Sequence, residues 1–173
     1  NGAYSFGKSS SNLWPDPSSV LRLYHNPKLL QVLCVSEHDE LLLSKGFGLG
    51  SSLVSRLTNP IETDLFRPGH HKRRQIAYMP RKNGDDAAVV AALLKVQPWW
   101  AGWELKPIHQ CTQEEVALIL QESLAFLAFG HPEGFGLPIA EALACGCAVL
   151  GYSGLGGREL MTLGADHGVA LEV

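Results

Sequence analysis

Two glutamates bracket the nine residues Glu133-Gly134-Phe135-Gly136-Leu137-Pro138-Ile139-Ala140-Glu141. Gly134 and Gly136 let a backbone approach a ligand closely, and Pro138 suits the first turn of a helix, whose free N–H groups favour an anion. Glu133 lies in the loop and Glu141 one turn into the helix, so both carboxylates can face one crevice. A pair of glutamates at this spacing is often only solvated surface. Here Glu141 sits in an otherwise apolar, small-residue helix, where an unpaired buried carboxylate is costly, so it is expected to bind something.

A bound phosphate at such a helix end calls for a cation, yet no Lys or Arg occurs between Pro107 and Gly157. Arg81-Lys82, after the strand ending at Met79, can supply it. Ser153-Gly154-Leu155-Gly156-Gly157 is a second glycine-rich turn. It counts only as support, because the G-x-G-x-x-G order of a dinucleotide fold is missing. His131 divides evenly between ligand contact and loop packing. Asp85-Asp86 suggest a metal less well than a favourable charge at a helix start. His70-His71-Lys72-Arg73-Arg74 reads as a solvated basic loop, with a membrane or nucleic-acid patch as the minor alternative. Trp99, Trp100 and Trp103 read as core or an interdomain contact rather than a stacking platform for a sugar or acceptor.

Alternating short strands and helices of about ten residues must position these groups. Strands are expected at 30–36, 51–57, 75–79, 103–109, 124–129, 148–152 and 169–173, with Pro107 marking an edge or a strand end. Helices are expected from Ser36 to a stop at Gly46, and over 85–95, 138–145 and 157–163. Another opens at the capping box Thr112-Gln113-Glu114-Glu115 and runs to Ser123. This alternation predicts an α/β fold, a parallel sheet covered on both faces. Its ligands belong at the carboxyl ends of the strands. Asn59 to Pro68, with two prolines, reads as a connection between domains, placing a boundary near residue 68.

Composition narrows the classes further. With 173 residues, 46% of them hydrophobic, and a net charge of −3, the chain can bury a core without disulfides or metals. The longest apolar run, Ala87 to Leu94, is too short to span a bilayer. Residues 1–19 read as an irregular lead-in without the pattern of a secretory signal, and the chain reads as a fragment. Only Cys145 and Cys147 among the four cysteines are close, with no second pair at zinc spacing, so buried reduced thiols are expected instead.

The run from Glu133 to Leu150, followed by Gly156-Gly157-Arg158-Glu159-Leu160, resembles the donor-binding half of retaining glycosyltransferases of family 4, the group 1 family. The likeness covers roughly residues 30–173 and is densest over 124–160. It implies the GT-B fold, two Rossmann-like domains facing a cleft. Residues 1–68 would then end an N-terminal, acceptor-side domain, and 69–173 would form a truncated nucleotide-sugar-binding domain. By motif position, Glu133 would contact the donor sugar at the reacting centre and Glu141 the ribose hydroxyls. Gly134, Phe135, Gly136 and Leu137 would offer backbone N–H groups to the sugar and diphosphate. Arg81 and Lys82 stand where the family's basic pair neutralises the leaving diphosphate, although here they are adjacent rather than separated.

The resemblance further implies transfer of a sugar from a nucleotide sugar with retention, by front-face attack, to a glycan or lipid-linked acceptor. It implies no obligatory metal, no cofactor and no nucleic-acid partner. A cytoplasmic location, peripheral at the inner face of a membrane in one version, goes with it. The competing class is a non-catalytic nucleotide-binding or interaction module on the same fold. A nucleotide-sugar epimerase would need a base that the sequence does not reveal.

Overall fold

The computed structural model describes residues 22–173. A small parallel pair is formed by β1 (Val32–Cys34) and β2 (Val54–Arg56), with Val32 opposite Val54 and Cys34 opposite Arg56. Between them runs α1 (Glu37–Leu41), which starts where the Ser36 hydroxyl accepts the Asp39 N–H at 3.1 Å. The sequence placed one helix up to Gly46. Instead the chain widens into a π-turn over Leu42–Gly46, where Ser44 Oγ bonds back to the Glu40 carbonyl at 2.7 Å. The left-handed stop is Gly48, with φ 69°, and the Leu49 N–H closes onto Leu43 O at 3.1 Å. Cys34, Leu43, Leu49 and Val54 form the core of this unit.

The larger sheet has five parallel strands. In chain order its elements are β3 (Arg73–Tyr78), α2 (Gly84–Lys95), β4 (Glu104–Pro107) and α3 (Gln113–Glu122). Then follow β5 (Ser123–Ala128), α4 (Leu137–Ala144), β6 (Ala148–Gly151), α5 (Arg158–Asp166) and β7 (Ala170–Glu172). The strand order is β4-β3-β5-β6-β7, so β4, with Pro107 at its end, is an edge as expected. Thr112 and Glu115 close the capping box, Thr112 N–H to Glu115 Oε2 at 2.7 Å and Glu115 N–H to Thr112 Oγ1 at 3.3 Å.

Ala77, Leu120, Phe126, Ala142, Val149 and Met161 are buried between the sheet and its helices. Phe66, just before the expected boundary at 68, is buried in this same core, with Ile61 and Leu65 packed against it. Such doubly covered parallel strands leave their carboxyl ends as the open rim of the domain. Successive connections leave β3 toward β4 on one side, whereas β5, β6 and β7 build outward on the other. The chain therefore reverses direction across the sheet between β3 and β5. A crevice at their carboxyl ends is the geometric result.

The basic run at 70–74 differs from its expected solvated state at Lys72. Its ammonium donates to the carbonyls of Leu120 at 3.0 Å, Ser123 at 2.7 Å and Cys145 at 2.7 Å. These carbonyls end α3 and α4, where a cation satisfies orphan acceptors and the negative pole of the helix. Arg73 pairs with Glu122 at the surface. Cys145 and Cys147 are buried as expected, and burial raises both thiols, Cys145 to about 11.

The tryptophan cluster also differs. Trp99, Trp100 and Trp103 pack on one another with centroids 6.1–6.5 Å apart, but none joins either core, and Trp99 remains half exposed. Their turn lies after α2, and β4 begins immediately after Trp103, which puts them at the amino-terminal end of the sheet. They are therefore remote from the crevice.

Candidate functional site

The loop after β3 is fixed by its own polar side chains. Asn83 adopts the left-handed conformation (φ 52°, ψ 46°), and its Nδ2 donates to the Phe129 carbonyl at 2.8 Å and the His131 carbonyl at 3.2 Å. Asparagine tolerates this backbone region better than most residues, which suits it to a tight entry into α2. Lys82 donates to the Pro132 carbonyl at 2.7 Å and pairs with Glu133 Oε1 at 2.8 Å. Consecutive residues of one loop thus hold the loop that follows β5.

From the other side, the glycine-rich turn after β6 clamps Glu133 by its backbone. The Glu133 N–H donates to Gly154 O at 2.7 Å, and the Gly156 N–H donates to Glu133 O at 3.1 Å. A Cβ at Gly156 would collide with the Gly134 carbonyl, so this close approach requires glycine. The turn the sequence treated as support is therefore a wall of the site. Leu155, with φ 76°, lies at the bridge to Glu133.

Gly136, with φ 86°, is the N-cap of α4, and no side chain caps that end. Its first-turn N–H groups point toward the crevice end of the helix, where an anion is favoured. One turn further, Glu141 is half-buried and makes no hydrogen bond or ion pair with the described residues. Burial raises its carboxyl from the ordinary 4.5 to about 6.

The residues proposed from sequence come together. Arg81, Glu133, Gly134, Phe135, Gly136, Leu137 and Glu141 line one cleft of about 420 Å³. Lys82 lines the adjoining narrow pocket, which Arg81 and Glu133 share with it. Val35, after β1, and Asn59 complete the cleft from the side of the small sheet, a contribution that no motif signalled. The two sides are joined by Arg56, whose Nη2 lies 2.8 and 2.6 Å from the two carboxylate oxygens of Glu159.

Other sequence readings separate from this cleft. His131 is exposed and meets Tyr152 edge-on at 6.2 Å, on the far side of the loop. Tyr152 donates its hydroxyl to Asp86 Oδ2 at 3.1 Å, while Asp85 and Asp86 occupy the first turn of α2 as the helix dipole predicts. Among the described residues, no cluster of His, Cys, Asp and Glu is arranged to hold a metal ion. None of their helices is long and apolar enough to cross a membrane.

A crevice at the reversal point of a parallel sheet, with a cation, an uncapped helix N-terminus and two carboxylates, defines a Rossmann-like domain built for an anionic ligand that also carries hydroxyls. Residues 104–173 match the family described as glycosyl transferases group 1. The chain is 32% identical over 101 residues to an alpha-1,6-glucosyltransferase of Actinobacillus pleuropneumoniae serotype 7 (strain AP76), an alignment spanning 57% of this chain and 31% of that protein. The chain thus spans about a third of the length of that relative. A crystal structure of a glycosyltransferase from Rickettsia africae ESF-5 shares the fold, with a TM-score of 0.54 and 14% identity over 80% of this chain and 48% of that one. The chain carries part of a group 1 glycosyltransferase domain of GT-B type.

Proposed function

We propose that this chain holds the donor half of a glycosyl-transfer site, acting on a nucleotide sugar with retention of configuration. The observation that carries the reading is the convergence of Arg81, the uncapped start of α4, Glu133 and Glu141 in one cleft. Glycosyl transfer develops positive charge on the sugar and negative charge on the departing diphosphate, so it needs fixed donors at one end and acceptors at the other. Arg81 and the N–H groups at Phe135 to Leu137 serve the diphosphate. Glu141 accepts from the ribose hydroxyls, and Glu133 faces the sugar.

Lys82 holds Glu133 ionised and oriented from 2.8 Å, and its ammonium also lies within reach of a bound phosphate beside Arg81. With one carboxylate at the reacting carbon, front-face attack fits better than the two-carboxylate scheme of glycosidases. Val35 and Asn59 form the wall facing a glycan or lipid-linked acceptor. The fixed cations supply the charge that a metal would otherwise bring, so no obligatory metal is invoked. Buried free thiols suit a reducing, cytoplasmic setting.

Calorimetric titration of the folded chain with UDP, GDP, ADP and dTDP tests this reading. One nucleotide should bind selectively, and Glu141→Ala should weaken it by about 1–3 kcal/mol, the scale of hydrogen bonds to a charged group. Absence of binding to any of the four, or unchanged affinity in the folded variant, would overturn it.

A further inference from the structure

Helix α2 presents an outer face that is apolar for most of its length. Between Asp86 and Lys95 it has no charged residue, and only Ala87 of the whole helix is buried. Val89 is 59% exposed and Leu93 58%, and beyond the helix Val96 is 75% and Trp99 54% exposed. With Ala88 and Ala92 they form a stripe at spacings of three and four, the pattern that normally faces a core. Exposed patches of this kind mark interaction surfaces.

The charges at the two ends of the stripe identify its occupant. Asp85 and Asp86 begin the helix and Lys95 ends it, all exposed. If the same helix from a second molecule is laid across it antiparallel, Lys95 of each copy meets Asp85 and Asp86 of the other. The same register sets Ala88 opposite Leu93 and Val89 opposite Ala92, a small residue facing a large one at each step. That self-complementarity is what a two-fold, isologous contact requires. A lipid surface fits less well, because the two aspartates would face its anionic headgroups.

We propose that the outer face of α2 is the contact between two copies of this chain, paired antiparallel about a two-fold axis between Val90 and Ala91. Three turns of helix with Val96 and Trp99 at the margins make a small interface, of the size class that associates weakly. Half-association is expected at roughly 10 µM for such a contact. The donor crevice remains open, since it lies between the loops that follow β3 and β5.

Sedimentation equilibrium of the chain from 1 to 200 µM tests the pairing. A monomer–dimer equilibrium is expected. Leu93→Glu, at an exposed position that leaves the fold intact by circular dichroism, should raise the dissociation constant at least about tenfold by placing carboxylates in the seam. Lys95→Glu should weaken association similarly, and adding Asp85→Lys should restore it to within about threefold by reversing both partners. A monomer throughout the range, a dimer indifferent to Leu93→Glu, or failure of the charge reversal would each overturn the proposal. Flotation with anionic vesicles by a chain that stays monomeric would overturn it too, and would give the stripe to lipid.

Discussion

Replacing Glu141 by glutamine should stabilise the ligand-free protein at neutral pH. Burial raises the carboxyl from 4.5 to about 6, so the folded state binds the proton more tightly than the unfolded chain does. A group of this sign contributes fully below its unfolded value, and that contribution is lost as pH rises through its folded value. The window is therefore between pH 4.5 and about 6. Taken at face value the difference is ~2 kcal/mol at pH 7 and above. Partial access to solvent discounts it to about 1 kcal/mol.

Glutamine keeps the shape and removes the charge, so the variant should unfold at a urea concentration about 0.5 M higher at pH 8, for a slope of about 2 kcal/mol per M. At pH 4 the two proteins should unfold together. The measurement is a pair of urea titrations followed by circular dichroism at each pH. An equal midpoint at pH 8, or an advantage for glutamine that persists unchanged at pH 4, would refute the argument from burial. The same substitution should reduce affinity for the selected nucleotide, because a site that needs a charged acceptor keeps it at a cost in stability.

Two further substitutions probe the scaffold. Lys72→Met keeps the aliphatic packing but leaves the carbonyls of Leu120, Ser123 and Cys145 without their shared donor, and should cost about 2–3 kcal/mol in a urea titration. A loss under about 0.5 kcal/mol would return Lys72 to the solvated loop that its neighbours suggest. Gly156→Ala drives a Cβ into the Gly134 carbonyl and should cost at least ~2 kcal/mol, or prevent folding. Gly84→Ala is the control, since a Cβ there has open space and should change stability by less than about 1 kcal/mol.

The regular elements were legible because each carries a local signal. Thr112 and Glu115 mark a helix start through two hydrogen bonds that involve only neighbouring residues. Gly136 and Pro138 mark the start of α4 in the same local way. Long-range partners leave no such trace. Nothing around Lys72 in a basic run reveals that its ammonium meets carbonyls from residues 120, 123 and 145. The stop of the first helix was displaced for a similar reason: Gly46 looks like a terminator, but the π-turn carries the chain on to Gly48, whose positive φ makes the closing bond possible. In the crevice, Arg81, Glu133 and Glu141 could be grouped from sequence by their place at strand and helix ends. Asn83, Val35 and Asn59 could not, since their parts depend on which strands become neighbours.

Helix α4 explains why one end of this segment is inert and the other available. Its carbonyl end is closed internally, with Lys72 donating to Cys145 O at 2.7 Å and the Gly146 N–H returning to Leu143 O at 2.9 Å. Its amino end has a glycine N-cap without a capping side chain and opens on the cleft. A helix compensated at its negative pole and uncapped at its positive pole leaves its residual favourable interaction for an outside anion. The loops around that end are in turn held by bonds that do not use the cleft: Asn83 to two carbonyls, Gly156 to Glu133 O, and Glu133 N–H to Gly154 O. A ligand entering there meets groups already placed, so little of its binding energy goes into ordering the loops. The polar cost of the empty site falls on Glu141 alone among its carboxylates, because Glu133 already has Lys82 beside it. Of the two glutamates that opened the sequence argument, Glu141 therefore has the stronger demand for a hydroxyl-bearing ligand.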